Sequence, residues 1–143
     1  MSDFVYRRRV QFAETDLAGI VHFSVIFRYM EEAEHALWRA AGLTIAERDS
    51  DIGWPRISAA CEFRNPLRFE EEFEVRTRIG ALKTRTIEYE FTLVRERTVI
   101  AVGTITSVCV KKGAAGMRAT EVPADVVRRL RPYTADEFLT PDS

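Results

Sequence analysis

One aspartate, Asp16, stands in a stretch whose spacing could support chemistry at a carbonyl or another centre that gains negative charge. Gly19 follows three residues later and can shape a tight loop, and a helical pattern begins at Phe23. A carboxylate can act as a nucleophile or as a general base. The first N–H groups of a helix lack intrahelical partners and stabilise negative charge. The spacing therefore predicts an acid beside an anion-binding backbone.

One long helix and five strands are predicted to position this loop. Apolar residues recur every three or four positions from Phe23 to about Ala41, which is typical of an amphipathic helix. Ser24 is a possible N-cap and Gly42 a good terminator. Alternation with period two predicts strands. The predicted strands are Phe4–Phe12, Arg56–Arg64, Glu71–Leu82, Thr84–Arg95 and Val99–Val110.

The segments between and after these elements are predicted to be mostly irregular. Residues 43–54 form a connector, with a short helical turn over 44–48. Residues 111–118 are predicted to be a loop, and Pro123 to Leu130 a short terminal helix. The order of elements predicts an α+β fold in which one helix lies against a meandering antiparallel sheet. We expect one domain over residues 1–143, with its core at about 4–130, that dimerises through sheet edges or helix faces.

Composition excludes several classes of function. The formal net charge of −1 gives no reason to expect a nucleic-acid or membrane partner. No apolar run is long enough to span a membrane, and the N-terminus does not resemble a signal peptide, so a cytoplasmic protein is expected. Two cysteines and two histidines, none with metal-ligand spacing, predict neither a disulfide framework nor a metal site.

The run from Glu14 to Val21 resembles the Asp-x-x-Gly-(Ile/Val)-Val element of hotdog-fold acyl-CoA thioesterases of the 4-hydroxybenzoyl-CoA thioesterase group. Asn65-Pro66-Leu67 and the segment from Ala119 to Ala124 are also similar to parts of that group. The resemblance implies a hotdog fold, in which a five-stranded antiparallel sheet wraps around one long helix. It also implies a homodimer or homotetramer with active sites between subunits, and an acyl-CoA substrate whose coenzyme A is not a separate cofactor.

The resemblance also implies roles for individual residues. Asp16 would be the nucleophile or the general base, and the Phe23 N–H would bind the oxyanion. Glu31 and Phe27 would lie near the acyl group, although Glu31 is as easily explained by a surface ion pair. Many relatives have an aromatic residue followed by His or Tyr where this chain has His22-Phe23, and a role for the His22 imidazole is not implied. Coenzyme A phosphates would contact Lys83, Thr84 and Arg85, which otherwise form a solvated turn.

Several alternatives stay open at this point. Hotdog hydratases place Asn-Pro between their Asp and His, and this chain has neither residue between Asp16 and His22, which disfavours a hydratase. A non-catalytic protein that binds acyl-CoA or an acyl carrier protein is a further alternative. The sequence does not choose between coenzyme A and an acyl carrier protein, or between aromatic and short-to-medium aliphatic acyl groups.

Overall fold

A computed structural model describes residues 3–135 of the chain. Within that part, no helix is both long and apolar enough to cross a membrane. Two helices, α1 and α2, and eight strands, β1 to β8, follow one another along the chain. In order, they are β1 Phe4–Arg9, α1 Phe23–Ala40, β2 Ile52–Gly53, β3 Arg56–Phe63, β4 Glu72–Leu82, β5 Thr86–Arg95, β6 Thr98–Val108, β7 Val110–Gly113, β8 Gly116–Ala119 and α2 Ala124–Leu130.

Five strands form an antiparallel sheet in the order β1-β4-β5-β6-β3. The α+β class with a five-stranded antiparallel sheet is therefore confirmed. The sheet is not the simple meander that the sequence predicted, because β3 pairs with β6 rather than with β4. This leaves β1 and β3 as the two edge strands. A tight hairpin joins β5 to β6, with Glu96 in the left-handed region at a φ of 57°.

The core lies between α1 and one face of the sheet. Alternate residues of β4 and β5 face the core and are all buried: Phe73, Val75, Thr77, Ile79, Ile87, Tyr89, Phe91 and Leu93. From α1, Trp38 donates a hydrogen bond of 2.9 Å from its indole N–H to the Tyr89 hydroxyl. Gly103 of β6 lets Met30 approach closely, since a Cβ atom there would stand 2.4 Å from the Met30 methyl carbon. The helix is therefore packed directly on the sheet.

Two predictions about the connecting segments are wrong. Residues 110–119 form the hairpin β7–β8, which joins β2 in a separate three-stranded sheet, and not a loop. All eight residues from Lys111 to Arg118 are exposed, so no apolar alternation marked these strands in the sequence. Residues 44–48 contain bends but no helical turn.

Candidate active site

The loop that carries Asp16 is a small backbone-bonded hairpin. Thr15 bridges Val21, the Asp16 N–H donates to the Ile20 carbonyl at 2.9 Å, and the Gly19 N–H donates to the Asp16 carbonyl at 2.9 Å. Gly19 has a φ of +81°, a left-handed conformation that glycine adopts without strain. The predicted contribution of Gly19 to loop geometry has this physical basis.

The Asp16 side chain is exposed at the mouth of a cleft. One carboxylate oxygen accepts a hydrogen bond of 2.8 Å from the Ala18 N–H, which fixes the side chain relative to its own loop. The cleft has a volume of about 500 Å³. Its lining is largely apolar and includes Ile20, Phe23, Ile26, Phe63, Leu67 and Ile100. A charged group and an apolar binding surface therefore lie side by side.

Three phenylalanines form one wall beside the cleft. Phe23 and Phe27 lie one turn apart on α1, and both contact the ring of Phe63 edge to face, at centroid distances of 6.2 and 6.4 Å. Phe23 is 61% exposed and Phe63 is 48% exposed. Exposed aromatic groups of this size favour an apolar ligand or a partner surface.

The N-terminus of α1 begins beside the Asp16 loop. The cap is His22 and not Ser24 as predicted, because the His22 Nδ1 accepts a hydrogen bond of 3.3 Å from the Ser24 N–H. The same nitrogen lies 2.8 Å from the Ser24 hydroxyl. Among the described residues, no backbone carbonyl accepts from the Phe23 N–H. The imidazole of His22 is thus used for capping, and the neighbouring Phe23 N–H is a candidate donor to a ligand.

A buried carboxylate, Glu14, connects this loop to the rest of the protein, and sequence reasoning gave it no role. Its carboxylate accepts hydrogen bonds from Arg8 at 2.5 and 3.1 Å, from the Tyr29 hydroxyl at 2.7 Å and from the Gln11 N–H at 2.8 Å. Burial acts against the charge of Glu14, but these donors outweigh burial and hold its pKa below the ordinary value. Burial and the Glu14 carboxylate together raise the pKa of Tyr29. A charged Glu14 is therefore part of the folded structure.

Comparison with known proteins decides the family. Residues 10–130 match the thioesterase-like superfamily. The chain belongs to that superfamily. The prediction of a hotdog-type thioesterase, an enzyme that hydrolyses thioesters, is thereby confirmed.

Three relatives show how far this similarity extends. A hypothetical protein of Aquifex aeolicus of known crystal structure is 34% identical, with a TM-score of 0.83 over 89% of this chain and 98% of its own. A gentisyl-coenzyme A thioesterase structure is 31% identical, with a TM-score of 0.78 over 88% of this chain and 98% of its own. A 1,4-dihydroxy-2-naphthoyl-CoA hydrolase of Synechococcus elongatus is 24% identical over 78% of this chain and 84% of its own.

The remaining predicted site residues of the thioesterase are spread along its length. Glu31 lies two turns beyond Phe23 on α1 and forms an exposed ion pair of 3.1 Å with Arg56 of β3. Arg56 also contacts Glu34, which is only 1% exposed, and donates to the Ser107 hydroxyl at 2.8 Å. Phe27 lies near the cleft, whereas Glu31 lies toward the other end of β3. One chain does not bring Glu31 to Asp16.

The basic turn 83–85 lies at the far end of the sheet from Asp16. Directly paired residues form rows that run across the strands of the sheet. The row at the end near Asp16 begins at Phe63 of β3, crosses β6 and β5, and ends at Val75 of β4. At the far end, Arg56 belongs to the row that reaches Leu82, next to the turn. Seven strand residues separate the two rows, or roughly 23 Å at 3.3 Å per residue. Lys83, Thr84 and Arg85 therefore do not meet Asp16 within one chain.

Metal-ligating residues were not predicted, and residues 3–135 contain no group of three or more His, Cys, Asp or Glu side chains arranged to hold a metal ion. Cys61 and Cys109 are free thiols, and burial raises the pKa of both. The groups that meet at the described site are Asp16, the backbone at the start of α1 and the apolar cleft.

Proposed function

We propose that this thioesterase hydrolyses an acyl-CoA to the free acid and coenzyme A, with Asp16 as the catalytic carboxylate. The observation that carries the proposal is the meeting of an exposed carboxylate, a helix N-terminus and an apolar cleft at one place. The Phe23 N–H would donate to the oxyanion that forms from the thioester carbonyl, an interaction worth about 3–4 kcal/mol in other enzymes. Thiolate is a good leaving group, so the reaction needs neither a strong general acid nor a cofactor.

Two mechanisms are compatible with this arrangement. As a nucleophile, an Asp16 oxygen would attack the carbonyl carbon, expel coenzyme A thiolate and form a mixed anhydride that water then hydrolyses. As a general base, Asp16 would take a proton from a water molecule that attacks the carbonyl itself. Single turnover in ¹⁸O-labelled water identifies the nucleophilic route in which water attacks the anhydride at the aspartyl carbon, because ¹⁸O then enters the Asp16 carboxylate and the released acid is unlabelled. The general-base route instead puts ¹⁸O in the released acid and leaves Asp16 unlabelled.

An aromatic acyl group is our leading proposal for the substrate class. Edge-to-face contacts with aromatic rings are favourable, and Phe23 and Phe63 expose ring surface beside Asp16. Two of the relatives named above act on gentisyl-CoA and on 1,4-dihydroxy-2-naphthoyl-CoA, both of which carry aromatic acyl groups. Short-to-medium aliphatic acyl groups and delivery by an acyl carrier protein are the alternatives that a substrate panel must include.

We also propose that the active protein is a homodimer paired through β3, or a homotetramer made of two such dimers. This edge strand is uncharged from Ile57 to Cys61, and Ile57 is 60% exposed. Long apolar edges without protection pair readily with another strand. A two-fold antiparallel pairing of β3 with its copy sets Arg56 of each chain against Phe63 of the other. The far end of one sheet, with its basic turn, then lies beside Asp16 of the second chain, where it could contact coenzyme A phosphates.

The hotdog wrap of the sheet around α1 belongs to the same proposal. Arg8 of the edge strand β1 reaches Glu32 of α1 at 2.9 Å, and Arg56 of the opposite edge strand reaches Glu31 at 3.1 Å. A flat sheet would not bring both of its edges to one helix. The two ion pairs therefore support a sheet that curves around α1.

The decisive experiment measures thiol release from a panel of acyl-CoAs and acyl carrier protein thioesters by wild type and Asp16→Asn. Asp49→Asn is the matched control, since Asp49 is exposed in a connector and its positive φ suits asparagine. We expect Asp16→Asn to lose activity by orders of magnitude while it stays folded, and the control to keep it. Equal activity in both variants would refute the role of Asp16, and no turnover on the whole panel would favour a non-catalytic acyl-CoA or carrier-protein binder.

A further inference from the structure

Glu14 contacts both ends of the loop that carries Asp16. Its side chain binds Arg8 of β1 and Tyr29 of α1, so the residue is fixed to a strand and to the helix. Its main-chain carbonyl accepts a hydrogen bond of 3.0 Å from the His22 N–H, at the point where the loop returns. Asp16 lies two residues after Glu14, and Phe23 lies one residue after His22. One residue thus holds the two positions from which the catalytic groups extend.

The donors around Glu14 leave its carboxylate no freedom to move. Three of them converge on one oxygen, Oε1, namely the Gln11 N–H, the Tyr29 hydroxyl and one Arg8 nitrogen. The other oxygen accepts from the second terminal Arg8 nitrogen at 2.5 Å. The Arg8 guanidinium also lies over the Tyr29 ring, 4.9 Å from its centroid. Charge-assisted bonds of this kind are the strongest hydrogen bonds in proteins. Here they join the loop to β1 through Arg8 and to α1 through Tyr29.

We propose that Glu14 is a positioning residue, whose buried carboxylate sets the separation between the Asp16 carboxylate and the Phe23 N–H. The inference rests on the proposed function, because it assigns Glu14 to the same site. Catalysis by positioned groups is sensitive to small displacements, and a shift of about 1 Å can cost on the order of 10²-fold in rate. Among the backbone hydrogen bonds of residues 3–135, the loop has few other anchors: Ile20 and Val21 pair with residues 67 and 68, in the segment between β3 and β4.

Glu32 supplies a matched control within the same network. It binds the same Arg8 at 2.9 and 3.1 Å and accepts from the Tyr6 hydroxyl at 2.9 Å. It sits on α1 and makes no contact with the Asp16 loop in any hydrogen bond or ion pair of residues 3–135. Glu14→Gln and Glu32→Gln each remove the charge of one carboxylate that binds Arg8. We expect only Glu14→Gln to loosen the Asp16 loop.

The test compares kinetics and amide hydrogen exchange in these two variants. In Glu14→Gln, the amide nitrogen replaces one carboxylate oxygen and must face the donors there. These are one Arg8 nitrogen alone, or the other Arg8 nitrogen together with the Tyr29 hydroxyl and the Gln11 N–H. We expect kcat to fall by about 10²-fold with KM changed by less than about threefold, because positioning acts on the transition state more than on binding. We expect amide exchange in residues 15–22 to accelerate by about tenfold or more. Glu32→Gln should show neither change.

Each other result has a defined meaning. Unchanged kcat and unchanged amide exchange in Glu14→Gln would overturn the inference. It would also be overturned if Glu14→Gln and Glu32→Gln lost kcat equally, each in proportion to its loss of Tm. Full activity of Asp16→Asn would instead overturn the proposed function. The exchange comparison needs no substrate, so it would still decide whether Glu14 holds the loop.

Discussion

The ion pair between Arg56 and Glu34 gives a quantitative prediction about stability, because its two members are buried to different extents. Glu34 is 1% exposed and Arg56 is 28% exposed. Arg56→Met leaves a carboxylate in the core without its cation, a change that costs roughly 3–5 kcal/mol in other proteins. Glu34→Leu leaves a partly solvated guanidinium that keeps Glu31 and Ser107 as partners. We expect that second change to cost only about 1–2 kcal/mol.

The double variant Arg56→Met/Glu34→Leu should be close to wild type in stability, since apolar replacement of a whole buried pair is often neutral. The free energies of unfolding are measured in urea at one fixed protein concentration, with the fluorescence of Trp38 and Trp54 as the signal. For the single Arg56→Met variant the loss corresponds to a fall in Tm on the order of 10 °C. The reasoning is refuted if Glu34→Leu lowers the free energy of unfolding as much as Arg56→Met does, or if the double variant is no more stable than Arg56→Met alone.

Three further predictions follow from described contacts. Because the pKa of Glu14 is lowered in the folded state, its contribution to stability is present above about pH 4 and is lost as the pH falls through the folded pKa. The difference in unfolding free energy between wild type and Glu14→Gln should therefore narrow in acid. Gly103→Ala should lower the free energy of unfolding by about 1–3 kcal/mol, because its Cβ would meet a backbone oxygen at 2.8 Å. The Cβ of Gly80→Ala would meet only a flexible Glu side chain, so this variant should lose less stability in the same urea titration. Ile57→Lys should shift light-scattering mass toward the monomer; an unchanged mass would argue against pairing through β3.

Local patterns were sufficient for most elements of the fold and insufficient for their pairing. The helix from Phe23 and the alternating strands follow from periodicity, which depends only on neighbours in sequence. The position of β3 beside β6 depends on which of several similar strands meet, and no local pattern contains that choice. The hairpin 110–119 was missed for a different reason. Its residues from Lys111 to Arg118 are all exposed, so it has the composition of a loop.

The candidate site shows the same division. Asp16, Gly19 and Phe23 could be selected from the sequence, because all three lie within eight consecutive residues, at the motif and at the helix start that follows it. Glu14 could not, since its role depends on Arg8 and Tyr29, which lie on two other elements. One signal was present: the alternation of β1 places Arg8 on the apolar face, beside Tyr6 and Val10. A charged residue on an inward face requires a buried partner, and that partner is Glu14.

The arginines of the two edge strands have a consequence for how the binding surface can evolve. Arg8 and Arg56 hold α1 by Glu32 and Glu34, so the rotation and the height of the helix on the sheet are fixed from both sides. None of these four residues lines the cleft beside Asp16. The aromatic rings that line the cleft, such as Phe23 and Phe63, can therefore be exchanged for smaller or larger side chains while the helix keeps its position on the sheet. Orientation and selectivity are separately adjustable in this scaffold, and new acyl groups could be accommodated without rebuilding it.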